Sequence, residues 1–239
     1  MRLHGRIALV LEELYGADVE AHAAELAHHF AEAQSVAGTE KLVRYSALAG
    51  ERALSTYGYE EAQAHFERAL AANEGQETDA GAAPLLFGLG RTQGALFQRR
   101  KAMDSLSKAF DHYADAGDIH GAVSVAEYPI NPGIGRVRVS QLISRALALV
   151  PPDSHQAGNL LSRYGLSLGT ELGDHRGAET AFDKALTIAR REGDVALELK
   201  VLANSATVDF LHLHWQDCVE KGLRAVALSQ RGNGGDPQV

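Results

Sequence analysis

The sequence predicts an all-α protein built as an α-solenoid, and three observations carry that expectation. A short apolar phrase recurs along the 239 residues, each copy has helical spacing, and the breaks between copies carry turn and capping residues. The phrase reads Ala62, Phe66, Ala69, Leu70, then Ala102, Leu106, Ala109, Phe110, then Val139, Ile143, Ala146, Leu147, then Ala178, Phe182, Ala185, Leu186. Cys218, Gly222, Ala225 and Val226 form a weak fifth copy. The alanines at 69, 109, 146, 185 and 225 follow one another at steps of 40, 37, 39 and 40 residues. Within a copy, steps of four, three and one place the apolar side chains on one face of a helix.

Residues 1–38 are expected to form an N-terminal helical segment, two helices over about residues 2–36. Residues 39–232 then hold about five helix pairs, and residues 233–239 a flexible tail. In each pair the phrase is the second helix. The first is read in LVRYSALAGERALS, LLFGLGRTQGALF, NLLSRYGLSLGTEL and LKVLANSATVDFL. Tyr57-Gly58 and Gly173-Asp174 mark turns inside pairs. Between pairs, Gly117 and Gly193 suit the left-handed residue that ends a helix, and Asp118 and Asp194 suit the N-cap of the next. Pro151-Pro152-Asp153-Ser154 serves the same purpose before the fourth pair. Pro129, Pro132, Gly133 and Gly135 remove helical donors from the third pair, so its first helix should be short and its corner distorted.

Composition narrows the function. No apolar run approaches the roughly 18 residues that cross a bilayer, so no membrane role is expected. The opening MRLHGRIALVLEEL offers only five consecutive apolar residues, Ile7 to Leu11, and is not a secretory signal. A single cysteine, Cys218, rules out an internal disulfide framework and suits a reducing, cytoplasmic setting. With 23 basic and 31 acidic residues the net charge is −8, against the basic face that duplex binding uses, so this segment is not expected to bind nucleic acid.

At the phrase residues the chain resembles the tetratricopeptide repeat, in which a small residue of the first helix meets the partner helix and alanine opens the second. With Ala62 at the motif's twentieth place, Gly50 and Gly90 fall at its eighth, and Pro151 closes the third copy. The match spans about residues 40–230 and implies a right-handed α-solenoid of tetratricopeptide-like helix pairs. The period of 37 to 40 exceeds the usual figure of about 34, and helical repeats of other families have periods of about 40. HAAELAHHF followed by KLVRYSALAGERAL is similar to the helical tail after the ATPase module of bacterial signal-transducing regulators. Those modules accompany LuxR-type transcription factors and class III nucleotide cyclases. The resemblance implies a segment of a larger regulator.

The residues nominate no catalytic set, no cofactor and no metal. Gly88, Gly90 and Gly94 come close to a dinucleotide fingerprint, but they lie inside an expected helix, where they read as packing positions. NPGIGRVR lacks the lysine and hydroxyl of a phosphate loop. Glu25 and His28 have no second Glu-x-x-His to complete a di-iron set. His212 and His214 point apart on a helix and make only a weak triad with Cys218, which is expected to be buried. Trp215 is expected to pack over the turn inside the last pair.

In tetratricopeptide solenoids the first helices line a concave groove. The resemblance places Arg44, Glu51, Phe87, Arg91, Tyr128, Arg163, Ser167, Lys200, Asn204 and Thr207 on that face. Four cations then accompany one carboxylate, and guanidinium groups bind carboxylate or phosphate bidentately. The expectation is a non-catalytic protein–protein interaction scaffold of a bacterial signalling or transcription regulator, with an acidic protein or peptide as partner. The alternative is an effector-sensing domain that takes an anionic small molecule or peptide in the groove, closed by aromatics such as Phe87, Tyr128 or Phe210, and controls an attached ATPase. The solenoid ends carry no polar cap, which implies weak self-association.

Overall fold

The computed structural model describes residues 2–33, 39–73, 81–130 and 138–233. The expectations for Pro132, Gly133, Gly135 and the tail beyond residue 233 lie outside the described residues. Those residues hold twelve α-helices and no strand, as the helical periodicity predicts. No helix among them is long and apolar enough to cross a membrane.

The chain divides into two compact units, Met1–Asp118 and Ile119–Val239. The first unit holds α1 (Arg2–Tyr15), α2 (Ala23–Glu32), α3 (Thr39–Ser55), α4 (Tyr59–Asn73), α5 (Ala82–Ala95) and α6 (Arg99–Asp115). Its N-terminal core gathers Ala8, Leu26, Phe30, Leu42 and Tyr45, with the Phe30 and Tyr45 rings stacked 5.5 Å apart. Helices α3 and α4 pack together, as do α5 and α6, and α4 also packs on α5. Phe66 is the buried centre of the next core, with Ala53, Ala62, Ala69, Leu85 and Leu89.

The second unit holds α7 (Ile119–Glu127), α8 (Val139–Leu147), α9 (His155–Ser167), α10 (His175–Glu192), α11 (Val195–Leu211) and α12 (Trp215–Asn233). Helix α9 packs on α10 and α11 on α12. A core of Leu168, Ala178, Phe182, Ala185, Leu197, Val201 and Val208 joins them. Helix α7 is short, as the following Pro129 predicts. A π-helical turn, Leu168–Leu172, continues α9, where the sequence suggests an unbroken helix.

The first three places of the phrase are buried in the first four copies, Phe66, Leu106, Ile143 and Phe182 all 2% exposed or less, whereas Leu70, Leu147 and Leu186 at the last place are only partly buried. In the fifth copy burial falls off, with Gly222 and Ala225 only partly covered. Val219, Leu223 and Val226 of α12 are exposed, Cys218 is partly buried, and Trp215 stands half in solvent with its ring edge-on to Phe210 at 5.3 Å.

Helix ends follow the capping chemistry. Ser154 and Asp194 cap α9 and α11 by accepting from the amides of Ala157 and Leu197, and Asp174 caps α10 by accepting from Gly177. Most of the turns share one device: a residue in the left-handed region, then an amide reaching back five residues, as from Gly58 to Ala53, Gln98 to Gln93, Asp194 to Ala189 and His214 to Asp209; after Gly173 the Asp174 amide reaches back six, to Leu168. Glycine takes the left-handed place at Gly117, Gly173 and Gly193, whereas Tyr57, Phe97 and Leu213 take it inside the first, second and fifth pairs, at φ +64°, +58° and +64°. At the first turn, then, Tyr57 and not Gly58 supplies the reversal.

Helix α8 lacks a local cap, because Arg138 before it offers no capping hydrogen bond. Glu171 in the π-helical turn supplies one instead, its two carboxylate oxygens accepting from the amides of Val139 at 3.1 Å and Ser140 at 3.0 Å.

Candidate functional site

The residues expected on the inner face fall into both units. In the first, Arg91 of α5 donates to the carboxylate of Glu51 on α3, one repeat earlier. The guanidinium also lies 5.3 Å from the centroid of the Phe87 ring, so one cation bridges an acid and an aromatic face. Burial pushes the hydroxyl of nearby Tyr113 up, with Asp118 and Glu51 adding to the shift and Arg91 opposing it. Arg44 stands exposed on α3, 5.4 Å from the Tyr45 ring.

Beside Arg44, Tyr45 and Lys41 both donate to Glu12 of α1. Burial alone would raise the Glu12 carboxyl. The two hydrogen bonds and the charges of Lys41 and Arg44 outweigh burial and hold it below the ordinary 4.5. The Tyr45 hydroxyl is pushed up to about 12, by burial and by the hydrogen bond to Glu12.

The second unit brings together the other expected residues. Arg163 Nη2 on α9 donates to the carbonyl of Tyr128 at 2.6 Å, while its Nε is buried without a hydrogen-bond partner among the described residues. Lys200 of α11 donates to Asn159 Oδ1 of α9 at 3.0 Å, and Asn204, one turn on, donates to Ser162 Oγ at 3.0 Å. Ser167 is buried near the end of α9, and Thr207 faces solvent with its hydroxyl bonded back to the Ala203 carbonyl.

Neither Arg163 nor Lys200 forms an ion pair among the described residues, and each is held below its usual value. For Arg163 the cause is burial, with the charge of Glu127 opposing. For Lys200 burial comes first and the neighbouring charge of Arg163 second, again opposed by Glu127. Two cations that repel one another, partly withdrawn from water and without a contacting carboxylate, favour an anion between or beside them.

Asn159, Ser162 and Glu127 belong to this cluster although the sequence did not single them out. The signal was present in the period. Contacts between consecutive first helices join residues about one repeat apart, Glu51 with Arg91, Asn159 with Lys200 and Ser162 with Asn204, separated by 40, 41 and 42 positions.

A third cluster lies at the turn ends of α10, α11 and α12. Asp209 is fully buried, its Oδ1 2.9 Å from His175 Nε2 and its Oδ2 2.7 Å from Lys221 Nζ, the latter an ion pair without good hydrogen-bond angles at the carboxylate. Lys221 also donates to Glu179 at 2.9 Å. Burial lowers the Lys221 ammonium, but the close carboxylates of Asp209 and Glu179 prevail and raise it. His214 stacks obliquely on His175, the ring centroids 4.2 Å apart. His212 instead donates Nε2–H to the Gly169 carbonyl at 2.9 Å. Besides Asp217, three positions on and 3.6 Å from its Nδ1, His214 meets His175 and Asp209 through the fold, in place of His212 and Cys218.

Compared with protein-family models and with curated proteins, the chain matches none.

Proposed function

We propose that the chain is a non-catalytic interaction scaffold of tetratricopeptide type, serving a larger bacterial signalling or transcription regulator, whose second unit takes an anionic group of its partner at Arg163 and Lys200. One observation carries this reading: two neighbouring cations on α9 and α11 lack an ion-pair partner among the described residues, and the Arg163 Nε is buried without an acceptor. Arginine presents a planar fork of donors that suits a carboxylate or phosphate, and lysine adds a point charge. An acidic side chain or a chain terminus on a protein partner offers that chemistry. The register of the buried phrase supports the repeat type: Gly50 and Gly90 face Phe66 and Leu106 sixteen positions on, and Gly165 faces Phe182 seventeen on, with the π-helical turn Leu168–Leu172 in between.

The same two cations would also hold a free anionic effector, and a thermal-shift series separates the two sources. The full chain is heated with a glutamate-rich peptide, with inorganic phosphate and with citrate, beside R163Q and K200M. A ligand that binds only the folded state at 100 times its Kd adds about 2.7 kcal/mol. The scaffold reading expects a shift with the peptide, lost in both variants. A shift with phosphate or citrate alone would favour effector sensing, and no shift with any of them would remove the anion site.

A further inference from the structure

We propose that His175, Asp209 and His214 form a binding site for one divalent transition-metal ion, with zinc the best match to their chemistry. One ligand atom from each lies within 4.8 Å of the other two. Zinc holds imidazole nitrogen at about 2.0–2.1 Å and carboxylate oxygen at about 2.0–2.2 Å, which sets tetrahedral ligands about 3.4 Å apart. The His175–Asp209 pair, at 2.9 Å, is already closer than that, so closure of the site falls to His214. His214 makes this movement by leaving the exposed Asp217 carboxylate, 3.6 Å from its Nδ1; it is itself exposed and lies in the turn before α12, outside the helix.

Two imidazoles and one carboxylate suit zinc ahead of calcium or magnesium, which take oxygen ligands. An ion at His175 Nε2 takes the place of the hydrogen bond to Asp209 Oδ1: a neutral ring carries its proton on Nδ1 instead, and an imidazolium releases one proton to solvent. Asp209 binds through Oδ1 alone, because Lys221 occupies Oδ2 at 2.7 Å. The ammonium opposes the incoming charge. Its own second partner, Glu179 at 2.9 Å, offsets that opposition, and Ser205 donates to the same Glu179 oxygen at 3.0 Å. This outer set fixes the buried carboxylate before any ion arrives, as outer partners do at metal centres. Three protein ligands leave a fourth position, open to water on the exposed side of His214.

The three ligands come from the starts of α10 and α12 and the end of α11, so an occupied site ties three helices at one point. The readout is therefore both binding and stability, and neither depends on Arg163 or Lys200. The tag-free full chain, stripped with chelator, is titrated calorimetrically with zinc chloride at neutral pH, beside H214A, H175Q and the double variant H4A/H29A. The double variant serves as a control because His4 and His29 pair through their Nδ1 atoms at 2.9 Å and are a second cluster of imidazoles. One zinc per chain is expected, with a raised Tm, affinity weakened in H214A and H175Q by at least the roughly tenfold to hundredfold that loss of an outer partner alone costs, and no change in H4A/H29A. H214A removes an exposed side chain and should fold, which keeps the comparison readable if H175Q does not. Absence of zinc uptake by the unaltered chain, equal affinity in H214A, or loss of binding in H4A/H29A would overturn the site.

Discussion

A Cβ on Gly165 would stand 2.7 Å from the ring of Phe182, closer than real side chains approach. Gly50 stands in the same relation to Phe66, at 2.9 Å, and Gly90 to Leu106, at 2.6 Å. The missing side chain on one helix is what lets the large apolar residue of the next reach full burial. Gly165→Ala should cost about 1–3 kcal/mol by overpacking, and Phe182→Ala about 3–5 kcal/mol by leaving a cavity. Urea denaturation measures both, and a loss under about 1 kcal/mol for Phe182→Ala would show that the repeat register is wrong.

Tyr57 and Leu213 hold the left-handed turn position with φ +64° and keep their side chains largely in solvent. A side chain there costs roughly 1–2 kcal/mol of backbone strain, against which glycine's freedom in the unfolded chain must be set. Tyr57→Gly and Leu213→Gly should each raise stability by about 0.5–1 kcal/mol. A loss of stability on either change would mean that these exposed side chains support the turn.

Glu171 caps a helix more than thirty residues earlier in the chain, through the amides of Val139 and Ser140. Removing those acceptors in Glu171→Ala should cost about 0.5–2 kcal/mol, the range for a lost cap. Hydrogen exchange should speed up first at Val139 and Ser140, and unchanged exchange there would count against the cap.

Glu12 gives a pH dependence whose sign follows from its lowered carboxyl. Folding favours the ionised form, held by Lys41 and Tyr45, so the contribution is complete above the ordinary 4.5 and is lost as pH falls through the lower folded value. Glu12→Gln should therefore be less stable than the unaltered chain at neutral pH, and the gap should close in acid. A gap that stays constant down to about pH 3 would contradict the linkage.

Much of the fold was legible because burial of the phrase obeys helical spacing: Phe66, Leu106, Ile143 and Phe182 were marked as core by position alone. Local chemistry also marked Ser154 and Asp194 as caps. The Glu171 cap was not legible, since donor amides and acceptor lie about thirty residues apart in sequence. Of the inner-face residues, Arg91 with Glu51 and Asn204 beside Lys200 follow from the period. Their burial, and the choice of Asn159 and Tyr128 as partners, depend on how deeply each side chain sits. Asp209 lay hidden in the apolar run Thr-Val-Asp-Phe-Leu, and its meeting with His175 joins residues 34 positions apart on different helices.

The anion-binding reading is tested most directly at the Arg163 Nε–H, which is buried without an acceptor among the described residues. In a ¹H–¹⁵N correlation spectrum of the labelled full chain, assigned by its loss in R163Q, that resonance is followed while a glutamate-rich peptide and, separately, inorganic phosphate are added. Saturable movement of the Arg163 signal with the peptide, abolished in K200M, is the expected result. A signal that stays fixed while the peptide binds elsewhere, or with no binding at all, would contradict a partner site at Arg163 and Lys200.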